Sequence, residues 1–202
     1  MKTQTLSNRK NFVKTKQFER KKQMGFLPEG YKTPEGASRY MKLKEGENKI
    51  RILSKPVMGY EMWEDKVPKR YREEKDCPPS RDSENKPKHF WAFLVWNYDE
   101  EKVQILSVTQ VTLQKAIESL SNDEDWGAPF FYDLKIHKSG NTKQTKYSVN
   151  PLPHKPLHGF IETEFHASPC NLEALFTNED PFAAHWKKHT EGIFENEESA
   201  VG

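Results

Sequence analysis

The chain has 202 residues, 34 % hydrophobic and 31 % charged, with a formal net charge of +2. That length suits one domain with appendages. Adding the ten glycines brings the apolar class only to about 39 %, below the roughly 45–50 % of ordinary globular chains, so the core is modest and part of the length stays unpacked. Two cysteines, Cys77 and Cys170, make no disulfide framework, MKTQTLSNRKNF has no apolar signal core, and no apolar run reaches the roughly 18 residues of a membrane span. Secretion and membrane spanning are therefore disfavoured, and the cytoplasm is the expected location. The charge is unevenly spread: residues 1–72 hold 19 Lys/Arg against 8 Asp/Glu, whereas residues 160–202 hold 2 against 9. A basic front and an acidic tail point to a polyanionic partner; chance segregation of solvated charges is the bland alternative.

Residues 1–38 alternate basic clusters with Gly-Pro breaks and read as a flexible basic arm. RYMKLKEGENKIRILSKPV reads as strand, turn and strand over about 39–57, with EGEN as the turn, continuing towards GYEMWED. Residues 66–87 are charged and proline-rich and read as a long exposed loop. KHFWAFLVWNY (88–98) and KVQILSVT (102–109) form a hairpin, and Leu113, Ala116, Ile117 and Leu120 give the helix that ends near Asn122. FFYDLKIHK and TKYSVNP are two further strands around the SGNTK turn. Beyond 156 the periodicity weakens: CNLEALF reads as a short helix, Asp180-Pro181 as a helix start, and GIFENEESAVG as a disordered end.

The expected fold is therefore mainly β. A five-stranded barrel of the OB-fold type, with one helix between strands 3 and 4, spans 39–156, and a partly helical extension with an acidic tail spans 157–202. Such barrels bind oligonucleotides on the strand 2–3 face and the 1–2 and 4–5 loops. A different small β-barrel or an open α+β sheet stays as the alternative.

The strand 88–98 has two apolar faces, because side chains alternate. If Asp99 opposes Lys102, then Tyr98 faces Val103, Trp96 faces Ile105, and these with Leu94 and Phe90 make the core face. Trp91, Phe93, Val95 and Asn97 then lie on the other face, where aromatic rings beside Lys102 and Gln104 offer a stacking surface for unpaired bases. Alternatively, Trp91 and Phe93 lie under the C-terminal segment, covered by Phe160, Phe165 and Trp186, or a one-residue bulge swaps the faces and makes Trp96 the stacking ring. Cations complete the proposed groove: Lys42, Lys49 and Arg51 on the first strands, Lys66, Lys69, Arg70 and Arg72 around Tyr71 in the 1–2 loop, and Lys135, Lys138 and Lys143 around the 4–5 turn. They would neutralise phosphates and release counterions.

YMKLKEGENKIRIL, KHFWAFLVWNY followed by VQILSVTQ, and DWG…YDLKIHKSG…TKYSV resemble the single-stranded DNA-binding proteins of tailed phages and prophages, over roughly residues 39–153. The resemblance rests on segment order and aromatic-basic texture. It implies an OB fold, cooperative coating of unpaired DNA, and action in phage replication and recombination. It also implies a basic N-terminal segment for cooperativity and an acidic C-terminal tail that meets replication or recombination proteins. Helix-destabilising members carry a structural zinc site, which is not carried over because this chain has no CxxC.

No cofactor or metal is expected. His185 and His189 have helical i, i+4 spacing but enclose two lysines and no HExxH glutamate; His154, His158, His166 and Cys170 could add ligands, but surface histidines are the preferred account. GxxxxGK[ST], GxGxxG and GxSxG are absent, and Asp99, Glu100 and Glu101 form a solvated turn, so the chain is not expected to be an enzyme. Two other readings remain: a protein–protein adaptor or structural phage component on the same barrel, and an RNA-binding protein.

Overall fold

The computed structural model describes residues 38–80, 85–140 and 144–183. Among them the chain is mainly β. Strands β1 (Gly46–Ile52), β2 (Val57–Glu64), β3 (Val67–Tyr71), β4 (Lys88–Asn97), β5 (Lys102–Val108), β6 (Asp133–Ser139) and β7 (Lys146–Pro151) form one antiparallel sheet. Helix α1 (Val111–Ser121) lies between β5 and β6, and helix α2 (Gly159–Ala167) follows β7. The order is β3-β2-β4-β1-β6-β7, with β5 on the other edge of β4. Among the described residues no rung joins β5 to β7, so the ladder stays open.

β1 and β2 run along one edge of β4. Ile52 stands opposite Val95 and Val57 opposite Ala92, so five residue steps on one side match three on the other. The surplus makes a bend at residues 53–56. Pro56 has no N–H for the ladder there, and Ser54 Oγ accepts the amide of Leu94 at 2.9 Å in place of a main-chain carbonyl. Seven strands replace the expected five because this bend splits the first strand and because β3 was expected to be loop. Residues 67–71 instead fold back on β2 through a tight turn whose Asp65 and Lys66 both have positive φ, 49° and 67°. That geometry suits the right-handed twist of a hairpin, and Pro68 is tolerated because β3 is an edge strand.

The strand expected from residue 39 starts later, at Gly46. Residues 39–41 make a short parallel bridge on β5, where Met41 N donates to Ile105 O and Ile105 N to Arg39 O, each at 2.9 Å. The EGEN turn is closed by buried Asn48, whose Oδ1 accepts from Lys44 N and whose Nδ2 donates to Lys44 O, both at 2.8 Å. At the far end of the described chain, Arg39 Nη1 lies 3.3 Å from Asp180 Oδ2 and donates to Phe182 O at 3.0 Å.

Both faces of β4 are covered. Trp91, Phe93 and Val95 face α1 and pack with Ile50, Ile52, Leu106, Leu113, Ile117, Tyr132, Leu134 and Ile136. Phe90, Leu94 and Trp96 face the other way and pack with Leu53, Ile105, Ile161, Phe165, Cys170, Leu172 and Leu175, from α2 and the 3-10 turn Leu172–Phe176. A second core under the C-terminal segment therefore exists, but on the face opposite to Trp91 and Phe93. The β4–β5 register places Trp96 opposite Val103 and Leu94 opposite Ile105, two residues from expectation, because the turn holds four residues with Glu101 at φ 49°. A two-residue shift preserves the faces. α2 had no clear periodic signal; His158 Nδ1 caps it by accepting from Phe160 N at 3.2 Å.

Gly59 marks where the C-terminal segment touches the sheet. A Cβ there would lie 2.4 Å from Tyr71 O and 2.8 Å from Phe176 Cε1. Gly59→Ala is expected to cost about 1–3 kcal/mol by overpacking, read in a urea melt; a variant as stable as the parent would disprove the close approach.

Candidate nucleic-acid interface

The alternation in VMGYEMWE sends Met58, Tyr60 and Met62 to one face of β2. Met58 pairs with Trp91, and Tyr60 pairs with both His89 and Tyr71, so these five residues share a face. The Tyr60 and His89 rings meet edge to face at 5.5 Å. Lys69, opposite Met62, extends the same face. Met58 is 53 % exposed, His89 is exposed, and Tyr60, Tyr71 and Trp91 are half-buried. Beside Trp91 opens a groove of about 270 Å³, lined by Ile52, Met58, Phe93, Ile117 and Phe130, with Ser54, Glu118 and Asn122 as polar neighbours. The indole Nε1 of Trp91 is buried without an acceptor among the described residues. Tyr71 Oη donates to Glu64 Oε1 at 2.8 Å. That bond, with burial, pushes its phenol up to about 12 and keeps it neutral near pH 7.

The expected site residues divide in this frame. Trp91 stays at an accessible edge, but Phe93 is 1 % exposed within the α1-side core and is corrected from stacking ring to core residue. The pairing parity was right, but the Trp91/Phe93 face is the one that α1 covers. Arg51 is likewise corrected from a groove cation to a buried one. It is 1 % exposed; Nε donates to Asp133 Oδ1 at 2.7 Å, and Nη1 donates to the carbonyls of Phe130 and Lys155 at 3.2 and 3.3 Å. Asp133 is fully buried and also faces Lys155 Nζ at 2.7 Å, Lys49 Nζ at 3.1 Å and the Tyr98 hydroxyl at 2.9 Å. Burial alone would raise its carboxyl, but the bonds from Lys155, Arg51 and Lys49 outweigh it and hold the group below its ordinary value.

Several other expected cations have internal partners. Arg70 pairs with Glu61 at 3.0 Å and lies over the Phe90 ring, and Arg72 pairs with Glu173 and lies 4.3 Å from the Phe176 centroid. Arg70 therefore ties β3 to β2 and β4, and Arg72 holds the hairpin to the C-terminal segment. Lys102 pairs with Glu100 at 2.6 Å, Lys135 with Glu47 at 3.0 Å, and Lys138 donates to Leu43 O at 3.1 Å. Lys42, Lys66 and Lys69 have no ion pair among the described residues, and Lys143 lies outside them. The acidic tail and the His185/His189 pair also lie outside the described residues. Met58, Tyr60, His89 and Phe130 were missed, although the alternation of VMGYEMWE carried the signal for the first two.

Among the described residues, no three His, Cys, Asp or Glu side chains gather as a metal site. His154 stacks on Tyr132 at 5.1 Å, and Cys170 is buried in the second core, where burial pushes its thiol up to about 12. No described helix is long and apolar enough to cross a membrane. No protein-family model, curated protein or solved structure gives a significant match to this chain.

Proposed function

We propose that the chain is a non-enzymatic, sequence-tolerant binding module for single-stranded DNA, built on an open barrel of the OB-fold type. The pairing order supports the fold reading. The bent strand β1/β2 pairs with β4 and, through β1, with β6; β5 continues β4, β7 continues β6, and α1 sits between β5 and β6. An OB-fold is a partly open five-stranded barrel with ligand contacts at strands 2–3 and the 1–2 and 4–5 loops. The β2–β3 hairpin occupies the 1–2 loop position. The outer β4–β5 face is packed under residues 157–182, so the strand is proposed to run along the hairpin and the groove instead.

The observation that carries the function is the strip Met58–Tyr60–Tyr71–His89–Trp91, half-exposed beside an apolar groove, with Lys66 and Lys69 on the same hairpin. Rings take bases, each worth roughly 1–3 kcal/mol, and lysines take phosphates. Among polyanions, the sequence resemblance directs the reading to DNA in replication and recombination intermediates, with the acidic tail meeting proteins of those processes. A protein-binding adaptor is the second reading, favoured by Trp63 and Val67 at the hairpin tip, 50 % and 51 % exposed.

Fluorescence titration with oligothymidylate tests the proposal. Indole quenching is expected, with log K falling against log salt by about 0.7 for each phosphate neutralised. Trp91→Ala should weaken binding by about 5- to 150-fold while a thermal melt stays cooperative. Equal affinity for duplex would reject stacking, no binding at low salt would favour the adaptor, and tighter binding of the matching RNA would make RNA the ligand.

A further inference from the structure

We propose that the cavity bordered by Arg51 and Lys155 is an oxyanion site that takes a phosphoryl group. It has a volume of about 220 Å³ and is lined also by Phe130, Phe131, Leu157 and Glu162. Two observations carry the assignment. The first is charge: Arg51, Lys49 and Lys155 all converge on Asp133, so three cations share one carboxylate and the cluster keeps positive charge in excess. The second is an incomplete guanidinium. Arg51 is 1 % exposed, its Nε and Nη1 are bonded, but its buried Nη2 has no acceptor among the described residues. A buried charged donor without an acceptor is costly, and a planar guanidinium matches a tetrahedral oxyanion well.

Lys155 supplies a second donor from the rim, since its side chain is 47 % exposed while its ammonium rests on Asp133. Arg51 is held rigidly by the carbonyls of Phe130 and Lys155, so the site is preorganised and an anion need order only the lysine. Glu162 opposes an anion. Its carboxylate lies 3.9 Å from His166 Nε2 and is half-exposed, which lets water screen it. The apolar walls of Phe130 and Phe131 shield the guanidinium and strengthen its bond to a ligand.

The phosphoryl group could come from a free phosphate monoester or from the backbone of a bound strand. Phe130 also lines the groove beside Trp91, so one residue borders both cavities, with Trp91 on one face of the sheet and Arg51 on the other. Only this second source rests on the single-strand reading.

The test uses the full chain, with inorganic phosphate titrated by calorimetry at constant ionic strength against chloride. Saturable binding is expected. Lys155→Ala, which keeps the main-chain carbonyl that Arg51 uses, should weaken it about tenfold. Glu162→Gln should tighten it, and Lys75→Ala, at a surface pair with Glu73, should leave it unchanged. No binding beyond the chloride control, or Lys155→Ala binding as the parent does, would overturn the site. If phosphate competes with oligothymidylate and Lys155→Ala also weakens the oligonucleotide, the backbone is the source. If phosphate binds but oligothymidylate affinity is unmoved, the site serves a free monoester, and the strand reading stands or falls on its own titration.

Discussion

Asp133→Asn is expected to cost about 3–5 kcal/mol of folding stability at pH 7. It leaves Arg51, buried beside it, without its counter-charge, and breaking one partner of a buried pair carries that penalty. The pH dependence has a definite sign. The Asp133 carboxyl is held below its ordinary value, so its contribution is present above the unfolded pKa of about 3.9 and is lost as pH falls through the folded value. Urea melts of the parent should weaken below about pH 4, and the variant should lack that share of the acid loss. A variant within 1 kcal/mol of the parent would mean that Arg51 has found another partner. Asn keeps the size and one acceptor, so the loss reports charge rather than a cavity.

Phe165→Ala should be of similar size, about 3–5 kcal/mol, by opening a cavity in the second core. Phe165 is 1 % exposed and packs with β4 and β5 residues rather than with the other segments of α2 alone. If residues 157–182 were a loosely attached appendage, the variant would release them and leave the sheet melting as before. If they are structural, one cooperative transition moves to lower denaturant with its slope unchanged. The second outcome is expected, because Phe90, Leu94 and Ile105 are completely buried in the core that this segment helps to close.

These two contacts also explain what could be read from the sequence. Aromatic and branched apolar runs on either side of a charged turn made β4 and β5 legible, the i, i+3, i+4, i+7 pattern made α1 legible, and the parity of Trp91 against Trp96 was correct. Which face lay under α1 was not legible. Both faces of β4 are apolar, and the second cover comes from a segment with weak periodicity about sixty residues later. Arg51 reads locally as a solvent-facing strand residue; its partner Asp133 is 82 positions away, and no short pattern encodes that pairing. Arg70 and Arg72 were misread for related reasons: Glu61 becomes a partner only once the hairpin closes, and Glu173 lies 101 positions along the chain. β3 was hidden by Pro68 and by a turn that uses Asp65 and Lys66 where hairpins favour Asn-Gly.

The meeting of Arg39 with Asp180 and Phe182 has a topological consequence. The first and last described segments touch, so the folded body is nearly circular as a path, and its ends are a matter of where the loop is cut. Joining residue 183 to residue 38 with a short linker would cross no strand of the sheet, and new ends at the exposed Asp65-Lys66 turn would leave every other rung in place. Such a permuted chain would separate the hairpin from its tight turn while keeping Asp133 and the second core intact. The contribution of a closed β2–β3 turn to binding could then be isolated from the stability of the body that carries it.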